Sequence, residues 1–147
     1  MKFFLLLAFL LITAIPSMAC ECMFVESMQE QFDRADLVFY AKVTEIRDPQ
    51  TKGFKDSPIY MMDSTYAEKA GYFPTFTVIK KYKGKVKKGH DIRLHSSWSS
   101  CDTSFLKDTE YVVFAYYDPQ GRVRTSMCVP NTKITDPKQL EAFKKLR

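Results

Sequence analysis

All four cysteines of this chain, Cys20, Cys22, Cys101 and Cys128, lie behind an apolar leader. Lys2 precedes a mostly apolar run from Phe3 to Ile15, followed by Pro16-Ser17-Met18-Ala19. A positive start, a short apolar run and small residues at Ser17 and Ala19 describe a secretory signal peptide. The run falls short of the roughly 20 residues that a bilayer-spanning helix needs. Cleavage after Ala19 is expected, giving a mature chain of residues 20–147 that begins on Cys20. A bacterial lipoprotein signal would also place a Cys first, although such signals usually carry Leu where this chain has Ser17. The expected location is secreted or extracellular: periplasmic in a Gram-negative bacterium, with lipid anchoring at Cys20 the minor alternative.

An exported chain meets an oxidising compartment, where an even cysteine count reads as disulfides. Four cysteines allow three pairings. A Cys20–Cys22 ring would be very tight, which leaves each of the first two cysteines tied to one of the last two. Either choice closes a loop of 80 or more residues, and such a bridge contributes roughly 4 kcal/mol in the chain-entropy model. Zinc is the competing use of the thiols. Cys-x-Cys is not the usual Cys-x-x-Cys knuckle, and no His stands at partner spacing.

The chain of 147 residues has the length of one domain and, at 46% hydrophobic and 27% charged, the composition of an ordinary folded chain. Five Gly argue against a glycine-rich nucleotide loop, and two His argue against a multi-histidine metal enzyme. Val25 to Ala35 carries Met28, Phe32 and Ala35 on one helical face. Leu37–Ile46, Thr75–Tyr82, Asp91–Ser96, Glu110–Tyr117 and Arg122–Val129 read as strands, being β-branched, aromatic or alternating. Lys83-Gly84-Lys85 and Asp118-Pro119-Gln120-Gly121 read as turns. Asp136-Pro137 opens a last helix with Leu140 and Phe143 facing the core. The long polar stretch from Arg47 to Gly71 has no period, with Tyr60-Met61-Met62 a candidate hairpin tip within it. Five strands with a short helix before and after predict an all-β fold, a small five-stranded OB-like Greek-key barrel with short flanking α-helices.

Several pieces then resemble a known family in the same order. They are Cys20-Glu21-Cys22 at the cleavage site, Phe32, Ala35-Asp36-Leu37-Val38-Phe39-Tyr40-Ala41-Lys42-Val43, and Lys80-Lys81-Tyr82-Lys83-Gly84. Cys101 behind Ser99-Ser100, Tyr111-Val112-Val113-Phe114-Ala115 and Thr125-Ser126-Met127-Cys128 follow. Across residues 20–130 the chain resembles the tissue inhibitors of metalloproteinases and, more broadly, the netrin-like module. The resemblance implies the disulfides Cys20–Cys101 and Cys22–Cys128, and the OB-like barrel again. It also implies a function: inhibition of a zinc metalloendopeptidase, with the free α-amino group and carbonyl oxygen of Cys20 chelating the target's catalytic zinc. Glu21 would enter the primed-side pocket, and Cys22, Met23 and Phe24 would line the protease cleft. No catalytic residue, cofactor or metal of its own is implied.

The chemistry of that expectation is simple. A catalytic zinc keeps one position open to water, and an amine and carbonyl on one residue can displace that water as a five-membered chelate. A free α-amino group has a pKa of about 7.7–8, so the metal competes with the proton near neutrality. Disulfides on both sides of Glu21 would hold the segment extended before it binds. The chain also departs from the family. Glu21 stands where a small residue is usual, and a carboxylate entering an apolar pocket pays desolvation unless paired, so pockets with a cation fit better. Met23-Phe24-Val25-Glu26 replaces a proline-containing segment, Asp33 stands where many members have a cysteine, and the C-terminal six-cysteine subdomain is absent.

Other features have plainer readings beside sharper ones. The lysine run Lys80 to Lys88 suits a sulfated glycan or acidic surface, or a solvated hairpin that discourages edge pairing. His90 and His95 read as a base or ligand pair, or as ordinary strand residues. Trp98 is expected to pack near a disulfide. The 47–71 loop is a partner surface or a tolerated insertion. Nucleic-acid binding, which OB folds also perform, is not expected of an exported chain. The alternative function is a netrin-like module that binds an extracellular protein or glycan and inhibits nothing.

Overall fold

A computed structural model describes residue 22 and residues 26–47, 73–95 and 103–146. Helix α1 (Met28–Arg34) is followed by strands β1 (Leu37–Arg47), β2 (Phe73–Lys83), β3 (Asp91–Arg93), β4 (Glu110–Tyr117), β5 (Val123–Arg124) and β6 (Thr132–Lys133). A 3-10 turn, Pro137–Gln139, leads into α2 (Leu140–Lys144). The fold is mostly β, a curled antiparallel sheet in the order β3-β2-β1-β4-β5, with β6 also on β4.

The strand periodicity explains the sheet's two faces. In β1, Leu37, Phe39, Ala41 and Val43 are all essentially buried and join Phe76, Val78, Tyr111, Val113 and Ala115 in an inner core. Edge-to-face aromatic pairs run through it: Phe39–Phe76 at 6.2 Å, Phe76–Phe105 at 4.9 Å and Phe105–Tyr111 at 5.0 Å between centroids. Each is worth roughly 0.5–1.5 kcal/mol beyond its buried area. The alternate residues Val38, Val112 and Phe114 face a second, smaller core closed by Phe32 of α1 and Phe143 of α2. The middle of the sheet is therefore covered on both faces, which is why β1 and β4 read as nearly continuous apolar runs.

Helix α1 starts later than the 25–35 span predicts. Ser27 caps it in a capping box: Glu30 N donates to Ser27 Oγ while Ser27 N donates to the Glu30 carboxylate. The expected start of the last helix holds, with Asp136 accepting from Lys138 N and Pro137 in the first turn. Strands β3 and β5 are shorter than expected, and β6 is a strand the sequence pattern did not reveal. Beyond Arg124 the chain leaves β4, because Thr125 Oγ1 donates to Phe114 O at 2.7 Å and Asn131 Oδ1 accepts from Phe114 N at 2.9 Å. Side chains there take the ladder positions that a longer β5 would have filled, and β6 pairs with the remaining edge at Tyr111 and Val112.

One further backbone bond joins the two ends of the strand path. His95 N, just past β3, donates to Val123 O in β5 at 2.8 Å.

Candidate functional site

Cys22 is disulfide-bonded to Cys128 across 106 residues of sequence. Cys22 is exposed, so the bond ties a surface position near the N-terminus to the turn that carries Cys128. The turn that carries Cys128 is itself tightly held. Cys128 N donates to Ser126 Oγ at 3.0 Å, and Asn131 Nδ2 donates to Thr125 Oγ1 at 2.8 Å and Ser126 O at 3.1 Å, with a longer contact to Thr103 Oγ1 at 3.3 Å. Since Asn131 also binds Phe114 N, one amide side chain joins the Cys128 turn to the middle of β4. Sequence reasoning missed Asn131, which stands just past the expected Arg122–Val129 strand. Met127, beside the disulfide, is 52% exposed.

Cys20, Glu21, Met23, Phe24 and Cys101 lie outside the described residues, as do the leader, the 48–72 part of the long loop with Tyr60-Met61-Met62, and Trp98. Of the expected cleft residues the structure therefore places Cys22 alone.

The pieces that carried the resemblance have clear structural work. Lys83 Nζ donates to Phe32 O and Asp33 O, both at 2.8 Å, closing the C-terminal end of α1 with a cation where the helix dipole favours one. Gly84 has φ +89°, and a Cβ there would sit 2.3 Å from Asp36 O and 2.5 Å from Leu37 Cδ2. Only glycine meets both demands. Asp36 in turn accepts from Tyr117 N at 2.7 Å and donates its own N–H to Ala115 O at 3.0 Å. Tyr-Lys-Gly and Ala-Asp-Leu thus meet at one seam between α1, β1, β2 and β4. Tyr40 donates to the Glu110 carboxylate. Burial first, then that bond and the Glu110 charge, push its phenol up to about 12.

Lys80, Lys81, Lys85, Lys87 and Lys88 are exposed at the β2–β3 end, with Lys80 Nζ 4.9 Å from the Tyr82 ring centroid. The two histidines have different surroundings. His90 is exposed in the hairpin, where its carbonyl accepts from Val78 N at 3.0 Å. His95 is half-buried, edge-on to Phe73 at 5.2 Å. Burial, then the Arg122 and Arg93 charges, lower its pKa against an opposing pull from Asp118. Among the described residues no three of His, Cys, Asp and Glu gather as a metal site, and no helix is long and apolar enough to cross a membrane.

No protein-family model matches the chain, and no curated protein matches it. What bears on function is then the residues and the geometry: the Cys22–Cys128 bond, an exposed lysine hairpin and a curled sheet with one backbone bond from His95 to β5.

Proposed function

We propose that this chain is a secreted inhibitor of zinc metalloendopeptidases that acts through a free N-terminal Cys20. Its amine and carbonyl would chelate the target's catalytic zinc, Glu21 would enter the primed-side pocket, and Met23 and Phe24 would add apolar contact along the cleft. The observation that carries this reading is the Cys22–Cys128 disulfide. It ties the residue two positions after Cys20 to a turn that Asn131 holds on β4, so the segment's attachment is ordered before any partner arrives. Ordering in advance reduces the entropy lost on binding. Met127, next to Cys128 in sequence, is exposed and offers an apolar side chain to a partner.

We read the sheet as a five-stranded OB-like Greek-key barrel. The order β3-β2-β1-β4-β5 with the His95 N–Val123 O bond between its ends supports that reading. The second reading is a non-inhibitory netrin-like module that binds an extracellular protein or glycan. It draws on the exposed Lys80, Lys81, Lys85, Lys87 and Lys88, which suit a polyanion.

A paired inhibition assay separates the two. The oxidised chain starting at Cys20 is compared with the same chain carrying one extra Ala ahead of it, on zinc endopeptidases that include members with basic primed-side pockets. The inhibitor reading expects inhibition by the first and its loss with the second, because the added residue removes the chelating amine. No inhibition by either moves the assignment to the binding module. Equal inhibition by both assigns the block to another surface and overturns the Cys20 chelate.

A further inference from the structure

Far along the sheet from the lysine hairpin tip, the end of β1, the start of β2, the end of β3 and the start of β5 converge. Among the described residues Arg47, Phe73, Arg93, His95 and Arg122 line an open recess there of about 190 Å³. Three of these five are guanidinium groups, and none is a carboxylate. Arg47 and Phe73 are register partners, and the Arg47 guanidinium carbon lies 5.8 Å from the Phe73 ring centroid.

The arrangement is held in place by a neighbouring ion cluster. Asp118 Oδ2 accepts from Arg122 Nε at 2.7 Å and from Arg124 Nε at 2.8 Å, while its Oδ1 accepts from Arg122 N and Gln120 N. Arg122 Nη2 donates to Gln120 Oε1 at 3.1 Å. Arg122 is therefore fixed, yet among the described residues one carboxylate serves two guanidiniums, which leaves an excess of positive charge beside the recess. Arg93 is exposed and has no carboxylate partner among the described residues. Cations that outnumber the carboxylates beside them repel one another, and an oxyanion between two guanidinium forks accepts paired hydrogen bonds from each. Buried Phe73 and the edge-on His95 ring supply an apolar wall that inorganic ions do not use.

We propose that this recess binds a small organic anion, its carboxylate or phosphate between Arg93 and Arg122 and its apolar part against Phe73. The site is independent of the N-terminus and of the inhibitor reading. The charged and titratable groups around His95 are Arg47, Arg93, Arg122, Arg124 and Asp118; burial first, then the Arg122 and Arg93 charges, lower its pKa. A bound anion offsets them, so binding takes up a proton at His95 and tightens as pH falls through the histidine range.

The test is a titration of the isotope-labelled, oxidised chain starting at Cys20, followed by the His95 ring and the Phe73 and Arg93 amide resonances. The probes are benzoate, phenyl phosphate, inorganic phosphate and neutral benzyl alcohol. The expected result is a saturable shift with benzoate or phenyl phosphate, at least tenfold tighter than with benzyl alcohol, and a raised His95 titration midpoint when the ligand is bound. Whichever of the two organic anions binds tighter names the head group. Arg93→Gln should weaken binding about tenfold or more with the amide dispersion intact, and Lys81→Gln should leave it unchanged. Arg47→Gln provides a second lesion in the wall. Inorganic phosphate binding as tightly as phenyl phosphate overturns the organic part. Shifts that fail to saturate, or an Arg93→Gln protein that binds like the parent, overturn the site.

Discussion

Asn131 makes more contacts than its place after Pro130 suggests. Its carbonyl oxygen takes the Phe114 N–H, and its amide reaches Thr125 Oγ1, Ser126 O and Thr103 Oγ1. Replacing it with Ala strands a backbone donor in the middle of β4 and frees the Cys128 turn. Unsatisfied buried groups cost about 1–3 kcal/mol each, so Asn131→Ala should lose at least about 2 kcal/mol in urea unfolding, whereas Asn131→Asp should keep the Phe114 bond and lose the amide contacts. Gly84 gives the opposite kind of case, where adding one carbon is the damage. Gly84→Ala places that carbon 2.3 Å from a backbone oxygen at φ +89°. The strained backbone alone costs about 1–3 kcal/mol, and the clash adds to it. The expected readout is a lowered melting temperature with rapid exchange of the Asp36 amide that faces the seam.

At the scale of elements, the β4–β5 hairpin carries its own acid sensitivity. Burial raises the Asp118 carboxyl, but donation from Arg122 N, the Arg122 side chain and Gln120 N outweighs it and holds the group at about 2. A carboxyl held below its unfolded value stabilises the fold above that value, near 3.8. That contribution falls away as pH drops from about 4 through about 2. Asp118→Asn should remove this part of the acid transition, and the β5 amides should report it first in a pH series of hydrogen exchange. The sequence made most elements legible. β1 and β4 announce themselves by apolar runs, α2 by Asp136-Pro137, and the hairpin by Asp118-Pro119-Gln120-Gly121. What escaped reading was decided by side chains far apart in sequence. β5 stops because Thr125 and Asn131 fill ladder positions on β4, and β6 is two residues long, too short to show a period. The recess was illegible for the same reason, since Arg47, Phe73, Arg93 and Arg122 come from four separate segments. Only the two histidines drew attention, and only His95 belongs there.

For the whole molecule, the Cys22–Cys128 bond matters more for where things are held than for how the sheet folds. The inner core and its aromatic chain do not include either cysteine. A Cys22→Ser, Cys128→Ser double variant should therefore keep the sheet while losing about 3–5 kcal/mol through a freer unfolded chain. Equilibrium unfolding measures that loss. On the inhibitor reading, the same variant should bind its protease far more weakly than its residual stability would explain, because the N-terminal segment would have lost its attachment.

The same bond has a mechanical meaning. A pull applied ahead of Cys22 on one side and at α2 on the other crosses directly from Cys22 to Cys128. Strands β1 to β5 lie inside that closed loop and feel no tension along their backbones. Only the chain after Cys128, with β6 and α2, is in series with the load. Stretched between those points, the oxidised chain would yield a short tail and stop, and a reducing agent would release the hidden length of the sheet.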